Sequence, residues 1–329
     1  MKSFRAYRID QANNKIVAGF CNLCLDDLTA GEVVIKVCYS TINYKDVLAA
    51  TGASKILSTY PLVGGIDLAG IIISSEDERL GLGDVVLVNG CGLSESYDGG
   101  YSEYARVKSD SVVPVPAGMT AAQAMQIGTA GYTAALAIHR MEQNNQCSEN
   151  GPIVVTGATG GVGSIAIDML DTRGYEVVAL TSKVGKSDYL KSIGARSVLL
   201  CDELNLGQRP MEKAQWGGAI DNLGGDVLTW LTRTVKYGGN IASIGLAASP
   251  VLNTTVLPFI LRAVCLLGIN SVDTPRSIRH EVWKRIGGDL RPRHLDVISA
   301  RTIKFNELPN AFQAYIDGTV TGRTVVKII

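Results

Sequence analysis

The sequence is short of several features that would narrow its function. Acidic and basic residues balance at 31 each, so there is no net charge and no basic stripe. This excludes the electrostatic footprint of a nucleic acid or anionic membrane partner. Although 46% of residues are hydrophobic, Gly, Pro or charge breaks every apolar run before it reaches membrane-spanning length. The histidines are few and far apart, at His139, His280 and His294, so no metal site is expected. His139 lies in an apolar, helix-like run and reads as a packed residue. The seven cysteines are scattered and odd in number, which suits reduced thiols better than a disulfide framework. Cys21 and Cys24 form a lone C-x-x-C with no second pair, no helix behind it and no His nearby, so neither zinc nor redox chemistry is expected there. Met1-Lys2-Ser3-Phe4-Arg5-Ala6-Tyr7 enters a strand-like pattern at once and reads as neither signal nor transit peptide. The expected location is cytoplasmic.

What is present centres on Val154-Val155-Thr156-Gly157-Ala158-Thr159-Gly160-Gly161-Val162-Gly163. A β-branched run leads into four glycines, and an amphipathic run, Ser164 to Thr172, follows. The pattern predicts strand, tight turn and helix, with a pyrophosphate received at the helix N-terminus. The spacing is G-x-x-G-x-x-G over Gly157, Gly160 and Gly163, one position away from the strict dinucleotide fingerprint. The next predicted strand, Glu176 to Leu180, ends at Thr181-Ser182-Lys183. An NAD-binding unit usually places an acid here, about 20 residues past the glycines, for the ribose 2′-hydroxyl. Two hydroxyls and a cation stand there instead, with Lys186 close behind. These would bind a 2′-phosphate that a carboxylate would repel, so NADPH is expected over NADH.

A chain of 329 residues is long enough for two domains. Residues 1 to about 122 read as short strands with frequent turns: Phe4 to Ile9, Val33 to Ser40, Ile66 to Ser74, Asp84 to Asn89 and Tyr101 to Lys108. That spacing suggests a barrel or half-barrel. One short helix fits Tyr44 to Thr51. Thr120 would cap a longer helix, Ala121 to Met141, interrupted at Gly128-Thr129-Ala130-Gly131. From about 150, strands alternate with helices, which predicts a doubly wound parallel sheet. After Thr274 a helix, a strand, a second helix and a final strand Thr324–Ile329 are expected to return to the first domain.

An N-terminal β domain followed by T-G-A-x-G-G-V-G resembles the medium-chain dehydrogenase/reductase superfamily along nearly the full chain. Further blocks resemble its zinc-free, quinone oxidoreductase-like branch and, within that, the acryloyl-CoA reductase (NADPH) group. They are Ile42-Asn43-Tyr44-Lys45-Asp46, Gly64-Gly65-Ile66-Asp67-Leu68-Ala69-Gly70, Gly128 to Ala134, Thr254-Thr255-Val256-Leu257-Pro258-Phe259-Ile260-Leu261-Arg262 and Gly322 to Ile328. The resemblance implies an α/β chain with a GroES-like catalytic domain, residues 1–122 and 273–329, and a Rossmann NADPH-binding domain, residues 123–272. In zinc-dependent members a cysteine stands near the position of Tyr44, and G-H-E stands where Gly65-Ile66-Asp67 does here. Those ligands are absent, so hydride transfer without a metal is expected.

By the same resemblance, Gly160, Gly161, Val162 and Gly163 would hold the pyrophosphate, and Thr181, Ser182 and Lys183 the 2′-phosphate. Leu246, Ile260 and Ser271 would line the nicotinamide, with Tyr44 near the same ring. Thr133 and Arg323, in the matching blocks, are further candidate cofactor contacts. Relatives carry an arginine near the end of the third strand and a polar residue near Gly318; this chain has Leu200-Cys201 and the glycine itself. A homodimer joined through the sixth strand, near Cys265–Ile269, is implied.

The reaction implied is NADPH-dependent reduction of an activated C=C bond, acryloyl-CoA to propanoyl-CoA. Hydride reaches the β-carbon while negative charge gathers on the carbonyl oxygen, which needs a donor. Tyr44 is the candidate donor or, alternatively, a packing wall for the nicotinamide. Asp67 would orient Tyr44 or Lys45, or else serve only as a turn residue. Asn43 and Asp46 suit a helix cap. Thr129 and Tyr132 begin a helix facing the cofactor. Arg5, Lys55, Arg106 and Arg262 are candidate partners for the phosphates of CoA. Gly90 to Gly100 could be a mobile lip or a plain barrel loop. A quinone or general enone reductase keeps the same cofactor site. A non-catalytic NADPH-binding protein is the alternative of another class.

Overall fold

The computed structural model describes residues 3–329. Met1 and Lys2, on which part of the leader reading rests, lie outside the described residues. The chain forms two units. The first comprises the residues up to Thr129, Ser271–Gly287 and Ser299–Ile329. The second comprises Ala130–Asn270 and Gly288–Ile298.

In the first unit, strands Phe4–Ala12 and Lys15–Leu23 form an antiparallel hairpin. Its two turn residues, Asn13 and Asn14, have φ of 52° and 60°. A two-residue hairpin turn needs this left-handed backbone, and Asn tolerates it. Lys15–Leu23 carries no strong apolar signal in the sequence, because all its residues but Leu23 are exposed or only partly covered. The larger sheet is seven-stranded, in the order Arg301–Lys304, Thr324–Lys327, Val33–Thr41, Asp67–Ser75, Val85–Asn89 and Val113–Pro114, with Tyr104–Val107 also on Val33–Thr41. Period-two burial along the central strand sends Val33, Ile35 and Val37 into a core with Leu68, Ile72, Val86 and Val88. The C-terminal strand does return to this unit, pairing antiparallel with Val33–Thr41 through Val325 and Thr41.

The second unit holds six parallel strands in the order Ser197–Leu200, Val177–Thr181, Ile153–Thr156, Trp216–Asp221, Val235–Ser243 and Cys265–Gly268. Numbered within the unit this is 3-2-1-4-5-6, the Rossmann order. Ile153, Val154 and Val155 are fully buried, as expected for strands covered on both faces. The segment 288–298 also belongs here. Asp168, fully buried on helix Gly161–Thr172, accepts the backbone N–H groups of Arg293 and His294 and pairs with the His294 ring at 3.0 Å. Those bonds tie a stretch expected in the other domain to this one. All seven cysteines are unbridged.

Candidate functional site

The glycine segment is less of a loop than the sequence suggests. Helix Gly161–Thr172 begins inside it, so Gly161, Val162 and Gly163 form the first helical turn. Only Gly157 has positive φ, at 58°. Gly163 is required for a different reason: a Cβ there would lie 2.5 Å from the Gly157 carbonyl oxygen. No side chain caps the helix, so its first-turn N–H groups remain available to an anion. Beside it, the carboxyl ends of two neighbouring strands are laced together at the point where the strand order reverses. The Thr156 hydroxyl donates to Asp221 at 2.7 Å and accepts the Asn222 N–H at 2.8 Å. The Asn222 amide donates to the Thr156 carbonyl at 2.7 Å. Ligands of such sheets bind at this reversal. Burial raises the Asp221 carboxyl above its ordinary range.

The next strand ends at Thr181, whose hydroxyl accepts the Lys183 N–H at 3.1 Å. This short turn aligns Ser182 and Lys183 beyond the sheet. Partial burial, and then the neighbouring Lys186, lower the Lys183 ammonium below its usual value. Two cations held together in this way favour an anion between them. In the same unit Leu246 and Ile260 are exposed apolar residues, and Thr133 is buried.

The first unit gathers a buried polar cluster at the start of helix Tyr44–Thr51. The Asn43 amide donates to Asp67 at 2.7 Å and to Asp46 at 3.2 Å, bridging two carboxylates. Its oxygen accepts from Arg323 at 3.0 Å. Asp46 also accepts the Asn43 and Ile66 backbone N–H groups, each at 2.8 Å, so Asn43 and Asp46 do share a capping interaction. Burial, with some help from Asp67, pushes the Asp46 carboxyl up to about 7. Asp67 accepts the Thr129 N–H at 3.0 Å and its hydroxyl at 2.6 Å. Burial raises its carboxyl too, while the Arg323 charge pulls the other way. Tyr101, which donates to the Thr41 carbonyl at 3.1 Å, has its phenol pushed well above the usual value by burial and then by Asp46.

This cluster also fixes a helix break. Within Ala121–Gln143 the backbone turns at Gly128, with φ 51° and ψ −159°. Arg323 Nε donates to the Gln126 carbonyl before the break, and Asp67 accepts from Thr129 after it. A side chain at 128 would meet Arg323, Asp67 and Thr41, each closer than 3.0 Å. The interruption expected from sequence is therefore held by residues 61 and 195 positions away.

Several expected roles change. Asp67 orients neither Tyr44 nor Lys45, because its oxygens are taken by Asn43 and Thr129 and Lys45 pairs with Glu95. Arg323 is buried, donating within its own unit to Gln126, Ile42, Asn43 and Thr41. Arg262 is similarly tied, to the Arg233 and Glu212 carbonyls. Gly90 to Gly100 is a fastened loop: Asp98 accepts the Val63 and Thr29 N–H groups, and Gly99 and Gly100 donate to Val63 and Gly65. Tyr44 is 53% exposed on the first helical position after Asn43. The Ser271 carbonyl accepts from Arg279 at 3.1 Å. Tyr189, the Thr156–Asp221–Asn222 lacing and Asn43 as a bridge were not read from sequence. Their partners lie 24 to 280 residues away, and no local pattern marks them.

The fold and these sites define a dehydrogenase/reductase of the medium-chain type, and the chain belongs to that family. It matches the family Alcohol dehydrogenase GroES-like domain over residues 29–117 and Zinc-binding dehydrogenase over residues 161–286. It is 42% identical to the acrylyl-CoA reductase AcuI of Ruegeria pomeroyi, over 97% of this chain and 97% of that one, and 44% identical to an Escherichia coli protein named probable acrylyl-CoA reductase AcuI, over 98% of this chain and 99% of that one. It is 43% identical to a Bacillus subtilis protein named for quinone oxidoreductase activity, YhfP, over 99% of both. The structure of the yhdH oxidoreductase of Salmonella enterica in complex with NADP superposes with a TM-score of 0.95, at 42% identity, over 99% of this chain and 100% of that one. That of yhfP with NAD bound superposes with a TM-score of 0.97 over the whole of both chains.

A zinc ion, for which the second family is named, does not fit these residues. The Asp67 carboxylate is saturated by neutral donors next to a guanidinium. Among the described residues no three His, Cys, Asp or Glu side chains gather in a way that could hold a metal ion.

Proposed function

We propose that the protein reduces the C=C bond of acryloyl-CoA to propanoyl-CoA with NADPH. The substrate reading is carried by 42% identity to an acrylyl-CoA reductase over 97% of each chain. The cofactor reading rests on an uncapped helix N-terminus behind the glycines, followed by Lys183 and Lys186 where an acid would select NADH. When bound, the dinucleotide supplies the hydride.

The chain's own residues bind and orient. The first-turn N–H groups of Gly161, Val162 and Gly163 hold the pyrophosphate, with Gly160 leaving the approach open. Ser182 and Lys183 hold the 2′-phosphate, with Thr181 shaping their turn. Leu246 and Ile260 offer apolar surface to the nicotinamide. Ser271 and Thr133 are further contacts. Tyr44 donates a hydrogen bond to the thioester oxygen as charge builds there, and a proton from water then reaches the α-carbon to complete the reduction. Asn43, Asp67 and Arg323 act through structure, fixing the helix start that carries Tyr44.

The strand Cys265–Gly268 ends its sheet and leaves Leu266 37% exposed, which supports a homodimer that continues the sheet across this edge. Seven unbridged thiols support a cytoplasmic location. Among the described residues no helix is long and apolar enough to cross a membrane. Balanced charge supports a small-molecule substrate over nucleic acid or membrane.

The test is NADPH oxidation by the purified protein with acryloyl-CoA, crotonyl-CoA and a simple quinone. Turnover confined to acryloyl-CoA supports the proposal. Turnover with the quinone alone replaces the substrate with the one in the name of the Bacillus relative. NADPH binding without any turnover would point to a non-catalytic binder. Lys183→Ala is expected to raise KM for NADPH about ten-fold or more while hardly moving KM for NADH, as loss of a charge-assisted bond predicts. An equal rise for both cofactors would remove Lys183 from the 2′-phosphate.

A further inference from the structure

Tyr189 lies on helix Ser187–Ser192, immediately after the turn bearing Ser182, Lys183 and Lys186. Its hydroxyl donates to Ser164 Oγ at 2.9 Å, and Ser164, fully buried in the glycine-led helix, donates to the Ala158 carbonyl at 3.1 Å. Ala158 in turn donates its N–H to the Leu180 carbonyl at 3.1 Å. Leu180 precedes Thr181, whose hydroxyl receives the Lys183 N–H. The links therefore close a circuit: Ala158, Leu180, Thr181, Lys183, along the chain to Tyr189, then Ser164 and back to Ala158. The circuit joins the segment that would receive the pyrophosphate to the turn that would receive the 2′-phosphate.

We infer that Tyr189 is a positioning residue for selection of the 2′-phosphorylated cofactor, holding the lysine-bearing turn at a set distance from the glycine loop. The inference rests on the NADPH reading above. One side of the circuit, Ala158 to Leu180, is backbone and survives any substitution. The other is made by two hydroxyls alone. Without Tyr189 the turn keeps its charges but loses its second anchor. Lys186 is the N-cap residue of the same short helix, so the anchor at Tyr189 bears on the segment that carries this second cation as well.

The test is calorimetric binding of 2′,5′-ADP and 5′-AMP to the full-length protein, with Tyr189→Phe, Ser164→Ala, the double variant and Lys183→Ala. Wild type is expected to prefer 2′,5′-ADP. Tyr189→Phe should weaken 2′,5′-ADP binding roughly five-fold, the size of one hydrogen bond, and leave 5′-AMP within about two-fold. Ser164→Ala should act in the same direction, and the double variant should add little, because both break one chain of bonds. Loss of affinity for both ligands in equal measure, or an unchanged ratio in Tyr189→Phe and Ser164→Ala, would overturn the inference. If wild type itself binds the two ligands equally, the NADPH reading falls and this inference with it. If wild type and Lys183→Ala differ but Tyr189→Phe matches wild type, only the role of Tyr189 falls.

Discussion

At the residue scale, the site separates groups that face solvent from groups that hold them. Tyr44 is half-exposed at a helix start, whereas Asn43, Asp46, Asp67 and Arg323 behind it are buried and mutually bonded. Tyr44→Phe keeps the packing and removes the donor. It is expected to lower kcat about ten-fold or more while the affinity for NADPH holds, because a positioned donor acts mainly on developing charge. An unchanged kcat would leave Tyr44 as a packing surface. Asp46 gives a second expectation. Its carboxyl rises to about 7 in the folded protein against about 3.9 in an unfolded chain. Between those values the folded state holds a proton that the unfolded state has released. The stabilisation is complete below the lower value and is lost as pH rises through the upper one. Asp46→Asn should therefore flatten the fall in thermal midpoint between about pH 4 and about pH 7, and parallel curves for the two proteins would refute the assignment.

At the element scale, the same sequence feature does different work at different positions. Gly157 supplies a left-handed backbone, Gly163 a close approach of helix to loop, and Gly160 an open face with only the Gly157 carbonyl near. Gly163→Ala would drive a methyl into the Gly157 carbonyl and is expected to cost about 1–3 kcal/mol of stability and to weaken dinucleotide binding. A normal melting temperature with normal NADPH affinity would show that the loop can shift. The helix Ala121–Gln143 shows how far local signals reach. Thr120 does cap it, accepting the Gln123 N–H at 3.1 Å, as its position before an apolar run suggests. The break at Gly128 was also visible. What was not visible is that Arg323 and Asp67 brace its two sides, because nothing near residue 128 in the chain encodes them.

At the scale of the whole molecule, the chain crosses between its units more than once, and the crossings follow charge as much as apolar pattern. The stretch 288–298 joins the Rossmann unit because Asp168, and Arg173 through Asp289 at 3.4 Å, bind it there. The edge strand Cys265–Gly268 leads to a further expectation. Leu266→Lys should convert the proposed dimer to a monomer on sizing chromatography, since an exposed charge on an edge strand opposes sheet continuation. A wild-type monomer would remove the dimer.

The sequence by itself determined the alternation of strands and helices in the second unit, the glycine-led helix, the lysine in place of an acid and the helix starting at Tyr44. All of these arise from interactions within a few residues or from a repeating apolar period, and so can be read along the chain. Only the tertiary structure decided that Asp67 braces a helix break instead of orienting Tyr44, that Arg323 is spent inside its own unit, and that Tyr189 reaches Ser164. Those outcomes depend on buried polar groups finding partners in space, and desolvation makes each such group take whichever donor or acceptor the packed fold brings within reach.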